Sequence, residues 1–491
     1  PLFAQKEQAP TTPESKFPAP PVAEKTSVTQ QTARISGQEI HYTATAGTIL
    51  LKKDDGKPSA SIFYIAYTRD GSGDLSKRPI TFAYNGGPGS SSVWLHMGAL
   101  GPKRVPVSDE GFAVPPPYRI IDNEYSALDY TDLVFVDPVT TGFSRSAPGE
   151  DPKQFHGLEG DLASVAEFIR TYLSKYQRWQ SPKFLAGESY GTTRSAGLAQ
   201  YLLDKDGIYL NGITLISSVL DFGTISFQAG NDLPYILFLP TYTATAWYHK
   251  KLPPDLQNGT VQTATEAARK FALNSYASAL MKGDTLSASE RQSIAAQLAH
   301  FTGLPAAYIE EANLRVSIFR FTKELLRDQR LTIGRYDSRL EGVDRDAAGE
   351  TPSYDPSYSS VQGAFTAAFN DYVRSQLKWE TDAPYEILTG RVQPWDYKEF
   401  QNRYVNVAER LRAAISENPS LHVLVGNGYY DLATPFFATE YTMDHMGLEP
   451  KLRGNVSLMY CEAGHMFYTK KSCLGSLHQH MSDFYRNALR H

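Results

Sequence analysis

Phe184-Leu185-Ala186-Gly187-Glu188-Ser189-Tyr190-Gly191 is an apolar run that ends in a Gly-x-Ser-x-Gly turn. A helical pattern through Leu198 and Leu202 follows it directly. The two glycines permit a sharp strand-to-helix turn that exposes the serine oxygen, and the helix N-terminus favours negative charge developing beside it. A motif with three fixed positions also arises as a plain Gly/Ser turn. Its placement between a strand and a helix favours Ser189 as a nucleophile.

Further short apolar runs flank this stretch. Strands are predicted over 62–67, 80–84, 133–137, 183–186, 213–217, 421–425 and 456–461. Each is rich in Val, Ile, Leu, Phe or Tyr, and most have Gly, Pro, Asn or Asp close by. Between two of them Leu158, Leu162, Val165, Phe168, Ile169, Tyr172 and Leu173 recur at helical spacing. Strands alternating with helices predict an α/β fold with a mainly parallel central sheet covered by helices on both faces.

The stretch 223–400 reads differently. Amphipathic helices are predicted near 263–281, 289–301, 306–327 and 361–377, and Ser287 with Glu290 has capping-box spacing. Strand signals are scarce, and strands resume at Leu421. A helical cap inserted into an α/β core is therefore expected. The predicted organisation is a flexible Pro-rich leader over 1–32, a first core part over 33–222, the cap over 223–400 and a second core part over 401–491.

A serine needs a base, and the base needs an orienting carboxylate. The order predicted for this arrangement is Ser, then acid, then His. The run 421–425 leads into Gly426-Asn427-Gly428-Tyr429-Tyr430-Asp431, which places Asp431 in a loop after a strand. The run 456–461 leads into Glu462-Ala463-Gly464-His465-Met466, which places His465 likewise. Asp431 and His465 are the expected acid and base; Asp444 and Glu462 are weaker rivals for the acid. His478 and His480 form no metal site without a third ligand, and a solvated helix face is the better reading. The oxyanion needs backbone donors. One is expected at Tyr190, immediately after the nucleophile, and another from the Gly-rich run Asn85-Gly86-Gly87-Pro88-Gly89-Ser90-Ser91-Ser92.

Composition narrows the function classes. The 491 residues are 41% apolar and 21% charged, which excludes a disordered chain, a collagen and a coiled coil. A net charge of −5 argues against a dedicated nucleic-acid binder. No apolar run approaches the roughly 18 residues of a membrane helix. The 30 Tyr, 24 Phe and 5 Trp suit an aromatic-lined pocket as well as core packing. Cys461 and Cys473 are the only cysteines, so this is no disulfide scaffold and no Cys-based zinc site. One local bridge between them and two buried thiols are both open readings. A start at Pro1 rather than Met predicts a processed or trimmed terminus, which fits a removed secretory signal and a trimmed boundary alike.

Five ordered segments together resemble the serine carboxypeptidase family (peptidase family S10). They are Asn85-Gly86-Gly87-Pro88-Gly89-Ser90-Ser91-Ser92, Val136-Asp137-Pro138-Val139-Thr140-Thr141-Gly142-Phe143-Ser144, Gly187-Glu188-Ser189-Tyr190-Gly191, Asn427-Gly428-Tyr429-Tyr430-Asp431 and Ala463-Gly464-His465-Met466. The resemblance spans about residues 80 to 470 and implies an α/β-hydrolase fold. It implies Ser189, Asp431 and His465 as a catalytic triad, and the Gly87 and Tyr190 amides as the oxyanion hole. It also implies that Asn85, Gly86 and Glu188 bind the C-terminal carboxylate of a substrate, with Glu188 sharing a proton with it. Two carboxyls in contact cannot both ionise cheaply, so mildly acidic pH is expected to favour peptide hydrolysis.

The chain also departs from the family pattern. Ser90 stands where the family commonly has cysteine, Ala99 where a glutamate often supports the carboxylate site, and Leu432-Ala433 where Cys-Asn is familiar. The low cysteine content resembles that of bacterial members more than that of eukaryotic vacuolar ones. The expected protein is a secreted or periplasmic serine carboxypeptidase acting on peptides with a free C-terminus. It would need no metal or organic cofactor, and neither nucleic acid nor membrane is an expected partner. An esterase or acyltransferase using the same triad is the alternative. A non-catalytic binding protein is a third reading, against which the intact triad speaks.

Overall fold

The computed structural model describes residues 23–490. Its strands are β1 (Thr26–Ile35), β2 (Gln38–Lys52), β3 (Pro58–Arg69), β4 (Ile80–Tyr84), β5 (Asp132–Val136), β6 (Lys183–Ser189), β7 (Gly212–Ser218), β8 (His422–Gly428) and β9 (Val456–Cys461). They form one sheet in the order β1-β2-β3-β5-β4-β6-β7-β8-β9, with the two-residue strand Arg145–Ser146 beside β3. From β5 to β9 every neighbouring pair is parallel, and β1, β2 and β3 add an antiparallel edge.

The longer helices are α1 (Leu158–Lys175), α2 (Tyr190–Asp206), α3 (Leu233–Tyr248), α4 (Val261–Phe271), α5 (Ala288–Thr302), α6 (Pro356–Ser375), α7 (Ala408–Glu417), α8 (Phe436–Asp444) and α9 (Lys471–Ala488). Successive strand residues point to opposite faces, so each central strand feeds two cores. Leu185, Ile213 and Val423 join α1, α2 and α7 on one face, while Phe184, Ile216 and Leu424 join α6 and α9 on the other. The expected apolar stripe of α1 is buried from Leu158 to Leu173. Each such side chain contributes roughly 1.5–3 kcal/mol on burial. A third core joins α3, α4 and α5 to Tyr430, Leu432 and Phe436, in the segment that follows β8.

All seven expected strands are present, most of them a residue or more longer. β1 and β2 were not expected as strands, and β1 corrects the leader reading from Thr26 onward. The polar run 26–32 pairs with β2 in register, Thr26 opposite Gly47 through Ile35 opposite Gln38. One face of this edge hairpin meets solvent, so Thr and Gln suit it and no apolar run announces it. The part of the leader over 1–22 lies outside the described residues.

Two helix expectations also change. The segment 306–327 breaks into Ala306–Glu311 and Ile318–Glu324, because Asn313 and Leu314 adopt left-handed backbone between them (φ 51° and 62°). The Ser287–Glu290 capping box is formed at the start of α5. α3 was missed: it is apolar all round, buried between the other helices of this region and the segment after β8, and so lacks a period to read.

Candidate active site

The Gly-x-Ser-x-Gly turn is the junction of β6 and α2. Ser189 ends β6 with φ 59° and ψ −129°, a region that costs a non-glycine residue on the order of 1–3 kcal/mol. The turn persists because its neighbours leave no other path. A Cβ at Gly187 would lie 2.2 Å from the Gly191 carbonyl oxygen, and one at Gly86 would lie 2.3 Å from the Tyr190 nitrogen. The Gly-rich loop after β4 is thus pressed directly onto the elbow. Arg194 of α2 fixes that loop further. Its guanidinium donates to the Asn85 carbonyl at 2.8 Å and pairs with buried Asp161 of α1, Nε to Oδ2, at 2.8 Å.

His465 and Asp431 come from the loops after β9 and β8. His465 Nδ1 lies 2.8 Å from Asp431 Oδ2. Asp431 also accepts from the Ala433 and Thr434 N–H groups at 2.8 and 3.0 Å, and from Thr434 Oγ1 at 2.7 Å. The His465 backbone is clamped at both ends: its N–H donates to the Tyr336 carbonyl at 2.5 Å, and its carbonyl accepts from Ser217 Oγ at 2.6 Å. Ser189 and His465 line the same pocket of about 200 Å³. Among the described residues no hydrogen bond joins the Ser189 hydroxyl to the imidazole; catalytic contacts of this kind often tighten only around substrate.

Asn85, Gly86, Gly87, Glu188 and Tyr190 line that pocket as well. Glu188 is 3% exposed and Oε2 accepts from the Tyr468 hydroxyl at 2.5 Å. Asn85 Oδ1 accepts from the Leu95 N–H at 3.0 Å. Asn85 Nδ2 is buried without a well-formed hydrogen bond, although it lies close enough to Glu188 to act on its ionisation. Trp94, Tyr190, Phe222, Tyr358, Tyr397 and Met466 add apolar wall.

Burial pushes the Glu188 carboxyl up to about 7, and the charge of Asp431 adds to it; His465, Tyr468 and Asn85 act the other way without offsetting it. For His465, burial opposes the imidazolium. The Asp431 carboxylate and its hydrogen bond outweigh that, and the Glu188 charge helps, so the ring is held above its ordinary value. A serine on a strained turn, an imidazole held by a donor-rich carboxyl and a protonatable acid in the same pocket are groups of the kind that acyl transfer uses.

The family model described as serine carboxypeptidase matches residues 38–461. The chain belongs to the serine carboxypeptidase family. Among curated relatives, serine carboxypeptidase-like 37 of Arabidopsis thaliana is 26% identical over 213 residues, covering 38% of this chain and 42% of that protein. A carboxypeptidase Y homolog of Arthroderma benhamiae is 32% identical over 146 residues, covering 29% of this chain and 27% of that protein. The chain thus spans less than half the length of these relatives. The crystal structure of Kex1Δp, a prohormone-processing carboxypeptidase from Saccharomyces cerevisiae, superposes with a TM-score of 0.58. It has 18% identity and covers 91% of this chain and 92% of that one, which is a likeness of fold.

Several residues of this carboxypeptidase-family pocket were not singled out by sequence. Tyr468, Thr434, Tyr336 and Arg335 reach the site from turns whose local sequence carries no motif. Tyr468 was traceable only as part of the segment after His465. A Cβ at Gly98 would lie 2.6 Å from the Tyr468 ring, so Tyr468 packs beside the Gly98-Ala99 step. The rival acids stand away: Asp444 and Glu462 are exposed, and Glu462 accepts from Gln262. His478 pairs with Asp129 at 3.2 Å, and His480 Nδ1 lies 2.8 Å from the Ser476 carbonyl of its own helix. Cys461 and Cys473 are bridged, with Cα atoms 5.8 Å apart, and the bridge ties β9 to α9 around the segment that holds His465 and Tyr468. Among the described residues no helix is long and apolar enough to cross a membrane.

Proposed function

We propose that the protein removes single residues from the C-terminus of peptides. Ser189 Oγ attacks the carbonyl carbon of the last peptide bond while His465 takes its proton. The Gly87 and Tyr190 N–H groups receive the oxyanion, and Asp431 holds the imidazole and stabilises its cation. His465 then protonates the leaving nitrogen, the C–N bond breaks, and the terminal amino acid departs. Water, deprotonated by His465, cleaves the acyl ester and restores Ser189. Asn85, Gly86 and Glu188 hold the terminal carboxylate. Segments within 223–400 form part of the pocket wall, a reading supported by Ile225, Tyr336, Tyr358 and Leu388 in its lining. The protein works outside the cytoplasm, secreted or periplasmic.

The observation that supports an exopeptidase over a general esterase is Glu188, a buried carboxyl next in sequence to the nucleophile and sharing its pocket with Asn85. A site of that kind recognises an anion that brings or shares one proton. The test compares one peptide as free acid, as C-terminal amide and as simple ester, at several pH values, with wild type and Ser189→Ala. Mass spectrometry is expected to record stepwise loss from the C-terminus of the free acid only, and none with the variant. Equal turnover of acid and amide, or turnover of the ester alone, would replace this reading with an esterase or acyltransferase.

A further inference from the structure

Arg335 is a charged wall of the pocket that the reaction above leaves unused. It follows the short strand Thr332–Ile333 and lines the same cavity as Ser189, Glu188 and His465. Its backbone N–H donates to Asp355 Oδ1 at 3.2 Å, and its guanidinium lies over the Tyr336 ring with its carbon 5.3 Å from the centroid. That stacking holds the fork in place beside the residue whose carbonyl anchors His465.

Among the described residues the buried arginines each pair with an aspartate. Arg78 and Arg178 share Asp132, Arg194 holds Asp161 and Arg339 holds Asp337. Arg335 differs. Among the described residues no carboxylate pairs with its guanidinium, and its Nε is buried without a hydrogen-bond partner. Arg335 is half-buried in the pocket wall, and a guanidinium that faces a cavity with no carboxylate of its own is open to an anion supplied by a ligand. The other acids nearby are committed: Asp431 is saturated with donors and Glu188 is held by Tyr468.

We propose that Arg335 selects substrates with an acidic side chain, Asp or Glu, on one of the two residues flanking the bond that is cut. The inference rests on the carboxypeptidase reading. There the terminal carboxylate occupies the Asn85–Glu188 corner, so the anion that Arg335 receives is a second carboxylate. The planar fork fits such a group through two parallel hydrogen bonds.

Four free-acid peptides test it, with Glu or its neutral isostere Gln at either flanking position, at about pH 6 where a free Glu side chain is ionised. Wild type is expected to prefer Glu over Gln at one position by roughly tenfold or more in kcat/KM, and added salt should erode that preference. Arg335→Gln should lower the Glu-to-Gln ratio by roughly ten- to a hundredfold, while Arg335→Lys keeps part of it. A wild-type ratio at or below one at both positions would overturn the proposal without any variant. So would an equal loss for Glu and Gln peptides in Arg335→Gln, which would assign the cation to the terminal carboxylate. If no free-acid peptide is shortened by wild type, the carboxypeptidase reading itself fails and this one falls with it.

Discussion

The loop after β8 and the end of β6 each bury a carboxyl near His465, and they surround it in opposite ways. Asp431 is fully buried and is met by Nδ1 of His465, two backbone N–H groups and the Thr434 hydroxyl. Glu188 is 3% exposed and has one firm donor, the Tyr468 hydroxyl. Donors aimed at a carboxylate favour its charged form, while burial without them favours the neutral one. The first loop surrounds its carboxyl with N–H and O–H donors beside an imidazole. The second keeps a proton available up to about pH 7. Two residues of nearly the same chemistry thus take different parts in the proposed reaction because of the number of N–H and O–H groups around them.

Removing the group that both loops serve gives the largest expected effect. Ser189→Ala should cut kcat for peptide hydrolysis by about a millionfold and abolish labelling by a serine-directed phosphonate. Retained labelling would move the nucleophile elsewhere. On the donor-rich side, Asp431→Asn should lower kcat by about ten-thousandfold with KM little changed, because the amide presents the wrong partner to Nδ1. A loss below about tenfold, measured by steady-state kinetics, would remove Asp431 from the triad.

The donor-poor side predicts smaller effects that depend on pH. Wild-type kcat/KM on free-acid peptides should fall as pH rises through about 7, where Glu188 gives up its proton, and should fall again on the acid side, where His465, held above its ordinary value, is protonated and no longer serves as base. Glu188→Gln should lose the alkaline limb and about tenfold in activity below it. Superposable profiles would end the proton-sharing role. Stability follows the same group. Its pKa is raised from 4.5 to about 7, so between those values the folded chain holds a proton that the unfolded chain has released. The resulting stabilisation is complete below pH 4.5 and is lost as pH climbs through about 7. Thermal melting of Glu188→Gln should lack that slope.

The smallest effect is expected of Tyr468→Phe. The hydroxyl favours the Glu188 anion, so its loss should move the alkaline limb to higher pH and change kcat/KM only several-fold, in keeping with about 1 kcal/mol for one hydrogen bond. A limb that stays in place would mean that Tyr468 packs against Glu188 without tuning it.

Much of the core and of the site was legible because it follows from neighbours in sequence. The strand before Gly187, the glycines that permit the turn at Ser189, and the strand-then-loop settings of Asp431 and His465 are all local patterns. Periodicity identified α1 for the same reason. β1 escaped because a strand with one wet face need not be apolar, and α3 because a helix buried on all sides has no stripe.

What only the tertiary structure decided lies between segments far apart in the chain. Tyr468 meets Glu188 across 280 positions, Arg194 reaches Asn85 across 109, and the Tyr336 carbonyl takes the His465 N–H from a different loop. Sequence singled out the residues to which the proposed chemistry is assigned, since a reactive group and its backbone turn are read within a few positions. The ionisation of Glu188 and the open cation of Arg335 depend on which donors and charges are brought near, and on how much water is shut out. Electrostatic energies in a buried pocket are set by distances through space, and no local pattern records them.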